Sequence, residues 1–142
     1  MRLSKISRTT SKRAIVLTVL IDTHALLWWI RNDRQLSGRA RRAITQSECY
    51  FSLAGCWETV IKVSLGRLGL DRPVAQFFKE ELAANGIVLL YIEFRHVMRV
   101  AQLPFHHRDP FDRLVIAQAI EEDLSLVSAD SRFDAYGVER IW

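Results

Sequence analysis

The chain has 142 residues, 49% hydrophobic and 25% charged, which suits one globular domain with a substantial core and excludes a low-complexity or fibrous chain. No stretch approaches the roughly 18 consecutive apolar residues of a membrane span, and Cys49 and Cys56, without CxxC spacing, support neither a disulfide scaffold nor a zinc site, so the default setting is a reduced cytoplasm. The formal charge of +4 is concentrated at one end: Arg2, Lys5, Arg8, Lys12 and Arg13 carry five positives, and setting them aside leaves 15 basic against 16 acidic residues, a net of −1.

Residues 1–13 therefore read as a basic, disordered tail, with attraction to nucleic acid as the competing reading. A single domain is expected over 14–142. Ala14–Ile21 is apolar apart from Thr18 and rich in branched residues, the pattern of a parallel strand covered on both faces. It is too short for a secretory signal and meets Asp22 without a small-residue cleavage site. Thr23 is placed to cap a short helix ending near Trp29-Ile30, and Ser37 caps a second, Gly38 to about Gln46, with Arg39, Arg41 and Arg42 on its outer face.

A short strand, Cys49–Ser52, leads into a helix from Leu53 to about Leu65, closed by Gly66. The apolar stripe of this helix runs through Trp57, Val60, Ile61, Ser64 and Leu65, with Glu58 on its margin. Pro73 starts the next helix, which ends near Asn85-Gly86. Ile87–Ile92 reads as another buried strand, followed by a helix to about Gln102 and a loop over Pro104–Pro110. A helix from Pro110 to Asp123, a strand Ser125–Ser128 and a short edge strand within Val138–Trp142 complete the chain. Strands alternating with helices predict an α/β fold, with a central parallel sheet of about five strands between helical layers.

Four acids stand out against this background: Asp22, Glu58, Asp112 and Asp130. Asp22 and Asp130 end apolar strands, and in a parallel sheet such positions gather at the carboxyl edge, where ligands bind. Each acid also has a structural reading. Asp22 suits a helix-capping turn, Glu58 pairs with Lys62 one turn on, Asp112 fits the first turn after the Asp109-Pro110 cap, and Asp130 fits a turn. Carboxylates brought to one edge repel unless a cation holds them, and an all-oxygen set suits Mg²⁺ or Mn²⁺. His24, His106 and His107 read as loop or surface residues, and Asp134 as an outward neighbour of Asp130, with a substitute ligand as its alternative role.

The segments Leu20-Ile-Asp22-Thr-His-Ala-Leu-Leu-Trp-Trp29, Cys56-Trp-Glu58-Thr-Val-Ile-Lys62, His107-Arg-Asp-Pro-Phe-Asp112-Arg-Leu-Val-Ile-Ala-Gln118 and Val127-Ser-Ala-Asp130 resemble, in that order, the PIN-domain ribonucleases, specifically VapC-type toxins of bacterial toxin–antitoxin modules. The resemblance covers about residues 16–142, and Asp-Pro-Phe-Asp-Arg is its most specific segment. Cys56 and Thr59 stand where relatives carry apolar residues. The resemblance implies a PIN-like α/β/α fold with a metal-binding acidic pocket. It makes Asp22, Glu58, Asp112 and Asp130 the catalytic, metal-holding acids, with Glu58 acting directly or through water.

Thr23, Ser52 and Ser128 are placed to orient those ligands or a water, with helix capping as their alternative role. Arg108 and Arg113 are the candidate RNA contacts near the pocket, and Arg39, Arg41 and Arg42 a more remote set with a solvated-face alternative. The implied partners are RNA, a cognate antitoxin and a second copy of the chain, with no membrane. Trp28, Trp29 and Ile30 suit either a partner surface or core packing. Two rivals remain. A phosphoacceptor receiver domain would carry adjacent acids after its first strand and a lysine after its last, and neither is present. A non-catalytic RNA- or protein-binding module of the same fold would lack carboxylate-dependent metal affinity.

Overall fold

The computed structural model describes residues 17–142. The tail 1–13 and the start of the run 14–21 lie outside the described residues. Five strands form one all-parallel sheet: β1 (Thr18–Ile21), β2 (Glu48–Ser52), β3 (Val88–Leu90), β4 (Ser125–Val127) and β5 (Arg140–Ile141). Their spatial order is β3-β2-β1-β4-β5. The chain builds outward from β1 to β3, then crosses back to place β4 on the other side of β1. That reversal opens a crevice at the carboxyl ends of β1 and β4.

The pleat of β1 divides the core in two. Val19 and Ile21 pack with α1 (Thr23–Ile30), α2 (Gly38–Gln46) and α4 (Val74–Ala84), while Leu20 packs with Tyr50, Leu126 and α6 (Pro110–Glu122) on the opposite face. The helix α5 (Phe94–Val100) lies alongside α6, and a short 3-10 helix, Ser131–Tyr136, joins β4 to β5. No helix among the described residues is long and apolar enough to cross a membrane.

Four sequence expectations need correction. The first strand begins at Thr18, and Leu17 before it is 47% exposed. Asp22, not Thr23, caps α1: its carboxylate accepts the Thr23 N–H at 2.8 Å. Ile87–Ile92 yields only a three-residue strand at the sheet edge, with Val88 exposed. Finally, α3 (Leu53–Ser64) does not bury its large apolar stripe: Trp57, Val60, Ile61 and Leu65 are all exposed, whereas Ala54, Gly55 and Thr59 face inward. Small residues occupy that face because the helix passes close over β2, with Gly55 against the Phe51 ring. The Thr59 hydroxyl donates to the Gly55 carbonyl at 2.8 Å, so its burial leaves no unmet polar atom.

Candidate active site

Asp22, Glu58, Asp112 and Asp130 all line one cavity of about 670 Å³ at the carboxyl edge of the sheet. Four separate elements deliver them. Asp22 follows β1, where its own N–H extends the ladder by donating to Val127 O at 3.0 Å. Glu58 projects from α3, and its carboxylate lies 3.1 Å from Lys62 Nζ. Asp112 occupies the first turn of α6, with its N–H held by Asp109 Oδ1 at 3.0 Å. Asp130 follows β4 and caps the 3-10 helix. The structural readings and the cavity placement therefore hold together: capping and pairing fix the acids without removing them from the pocket.

The electrostatics show how crowded the pocket is. Burial raises the Asp22 carboxyl above its ordinary range, opposed by the Ser128 hydroxyl and the Thr23 N–H. Burial pushes Asp112 up to about 8, and the charges of Asp22, Asp109, Glu58 and Asp130 add to the shift. Asp130 goes the other way, held at about 2 chiefly by the Arg132 guanidinium, which reaches both its oxygens at 2.9–3.0 Å. A divalent cation would relieve the repulsion on Asp112, so the donor set fits one.

The three neighbouring hydroxyl residues have different fates. Ser128 Oγ donates to Asp22 Oδ2 at 2.9 Å and accepts the Asp130 N–H at 3.0 Å, tying the two strand-end acids together. Thr23 is buried beside Asp22 and contacts it through its backbone N–H. Ser52 is not at an acid: it caps α3 by accepting the Ala54 N–H and donates to Gln118 on α6.

Of the candidate RNA contacts, Arg108 is exposed and lines the cavity. Arg113 does not belong there. It is 5% exposed and donates to the carbonyls of Val100, Leu103, Pro104 and His107, so its fork organises a loop. Arg39 and Arg42 are exposed away from the cavity, and Arg41 is engaged with Asn32 and Asp33. Asp134 pairs with Arg140 and lies outside the pocket. Trp28 and Trp29 pack partly against the core, Trp28 beside Trp142 and Trp29 bonded to Asn85.

Two residues that contact the acids directly escaped sequence reasoning. Arg132 lines the cavity and grips Asp130, and nothing in its local pattern marks it. His107 is 4% exposed, with Nε2 at 3.0 Å from Asp112 Oδ2 and 3.3 Å from Asp130 Oδ2. Donor atoms of His107, Asp112 and Asp130 lie within 4.8 Å of one another, a spacing that could hold a metal ion. The available signal was its position two residues before the Asp109 cap.

The PIN domain family model matches residues 19–139. Ribonuclease VapC22 of Mycobacterium tuberculosis is 30% identical over 120 residues, covering 84% of this chain and 92% of that protein. Among solved structures, VapBC2 from Rickettsia felis, bound to a promoter DNA fragment, aligns with a TM-score of 0.65 at 12% identity, over 89% of this chain and 100% of the other. FitAcB from Neisseria gonorrhoeae aligns with a TM-score of 0.59 at 19% identity, over 86% and 95%. At those identities the solved structures bear on the fold, which they share.

Proposed function

From the premise that this chain belongs to the PIN domain family, we propose that it is a divalent-metal-dependent endoribonuclease, the toxin of a toxin–antitoxin pair. The observation that carries this reading is the gathering of Asp22, Glu58, Asp112 and Asp130 in one cavity at the carboxyl ends of β1 and β4. Asp22, Asp112 and Asp130 would hold the cation, Mg²⁺ or Mn²⁺, with Glu58 joining directly or through water. Such a cation, when bound, lowers the pKa of a water and offsets charge on the phosphate.

The chain's own residues do the rest. Asp22 or Glu58 takes the proton of the attacking water. Ser128 keeps Asp22 oriented, with its hydroxyl hydrogen directed at Oδ2. Lys62, Arg108 and Arg132 line the same cavity and supply positive charge for the RNA backbone beside the acids. Water adds to phosphorus, the bond to the 3′ oxygen breaks, and the products carry 5′-phosphate and 3′-hydroxyl ends. A cognate antitoxin and a second copy of the chain are proposed as partners in the cytoplasm, on the likeness to VapC proteins. The basic tail 1–13 is proposed as an extension outside the nuclease domain.

Incubating the protein with total cellular RNA in Mg²⁺ or Mn²⁺ tests this. Discrete fragments with 5′-phosphate ends are expected, abolished by EDTA and by Asp22→Asn in a folded protein. Ends bearing 2′,3′-cyclic phosphate, or undiminished cleavage by Asp22→Asn, would reject water attack at this site.

A further inference from the structure

We infer that His107 is a positioning residue of this site, whose Nε2–H bridges Asp112 and Asp130 and fixes the separation of two carboxylates carried by different elements. The inference rests on the metal-nuclease reading above. His107 belongs to a loop, yet it is 4% exposed, whereas its neighbour His106 is exposed. It is anchored from several directions. Its N–H donates to the Tyr136 hydroxyl at 2.7 Å, its carbonyl accepts from Arg113 at 3.4 Å, and its ring stacks on Phe133 with centroids 5.6 Å apart.

The tautomer follows from the next contact. The Asp109 N–H donates to Nδ1 at 3.3 Å. A ring nitrogen that accepts carries no proton, so the proton of the neutral imidazole sits on Nε2. That N–H faces Asp112 Oδ2 at 3.0 Å and Asp130 Oδ2 at 3.3 Å. Asp112 rides on α6 and Asp130 follows β4, so no short stretch of backbone sets their spacing. A shared donor does, and once both carboxyls are ionised it offsets the repulsion that would otherwise drive them apart. Direct ligation of a metal by Nε2 would require moving the proton to Nδ1, at the loss of the Asp109 bond. The bridging role is therefore the one this geometry favours.

The test uses the full chain as wild type, His107→Ala, His107→Gln and Asp22→Asn, with Mn²⁺ alone as the probe. Bound Mn²⁺ is read from the loss of the free-ion paramagnetic resonance signal, and thermal melts check folding. His107→Ala is expected to weaken Mn²⁺ binding by about 10- to 100-fold, and His107→Gln, which keeps an N–H donor, to recover most of it. Nitrogen-15 NMR of the metal-free wild type is expected to show the Nε2–H tautomer, a readout that needs neither a variant nor a metal. An Nδ1–H tautomer, or nitrogen coupling from an imidazole bound directly to Mn²⁺, would overturn the bridge. So would unchanged Mn²⁺ affinity in His107→Ala while Asp22→Asn loses it. If the wild type binds no Mn²⁺, or Asp22→Asn binds it equally well, the metal-nuclease reading fails and takes this inference with it.

Discussion

Arg113 shows how a residue beside a catalytic candidate can serve a different end. Its place next to Asp112 invites an RNA-contacting role, but the backbone sends the side chain inward, over the Phe105 ring at 4.2 Å and into a ring of carbonyls. A guanidinium suits this task because its planar fork offers five donors in fixed directions. The carbonyls belong to residues 100–107, so Arg113 holds the loop that carries His107 into the pocket. Arg113→Ala should cost about 2–4 kcal/mol in urea denaturation, from several carbonyls losing a charged donor. Arg108→Ala, at an exposed site, should change stability by about 0.5 kcal/mol or less while weakening RNA binding. The opposite ranking would return Arg113 to the RNA surface. Such roles were hidden in the sequence because they depend on how a loop closes. Asp22, Asp112 and Asp130 were legible as candidates because each sits at an element boundary that hydrophobic pattern or capping chemistry marks, whereas Glu58, inside α3, was marked only by the family resemblance.

At the level of elements, hydrophobic period and capping chemistry located most boundaries to within a residue or two. Ser37 before α2 and Asp109-Pro110 before α6 stand as expected, with cap bonds of 3.0 Å each. What the local pattern does not contain is which neighbour an element meets. Ile87–Ile92 has the composition of a buried strand, but only Val88–Leu90 finds a partner, on one side, and Tyr91 is exposed. The error on α3 has the same origin. Its inward face is chosen by how near β2 the helix must lie, and that favours the smallest residues over the most apolar. A Cβ at Gly55 would meet Phe51 Cζ at 2.5 Å, and Phe51 is itself stacked on Phe78 at 5.6 Å. Gly55→Ala gains up to about 1 kcal/mol of helix propensity, against about 1–3 kcal/mol for overpacking. Overpacking should win. A lower melting temperature is expected, with weaker Mn²⁺ binding as α3 lifts and moves Glu58. A melt at or above the wild-type value would show that the helix is not seated by this contact.

Taken whole, the molecule brings five acids, Asp22, Glu58, Asp109, Asp112 and Asp130, to one pocket, and that arrangement couples its stability to pH and to divalent cations. The Asp112 carboxyl is raised from 3.8 to about 8 in the fold. Between those values the native state holds a proton that the unfolded chain has released, so stability falls as pH rises through the window. Its contribution is complete below 3.8 and lost above about 8. Asp22, also raised by burial, acts in the same direction. Asp130 has the opposite sign, but its stabilisation is lost only as pH falls from 3.8 toward 2, outside the window. A cation bound by these carboxylates replaces the missing proton, so it should stabilise more strongly where Asp112 is ionised. Melting curves in EDTA are therefore expected to decline from pH 5 to pH 8, with Mg²⁺ or Mn²⁺ raising the midpoint further at pH 8 than at pH 6. Each kcal/mol should move the midpoint by about 2–4 °C in a chain of this size. Asp112→Asn removes one of the two titrating groups, and its metal-free melting temperature should decline less across the range than that of the wild type. If that variant keeps the wild-type slope, Asp112 is not the source of the coupling.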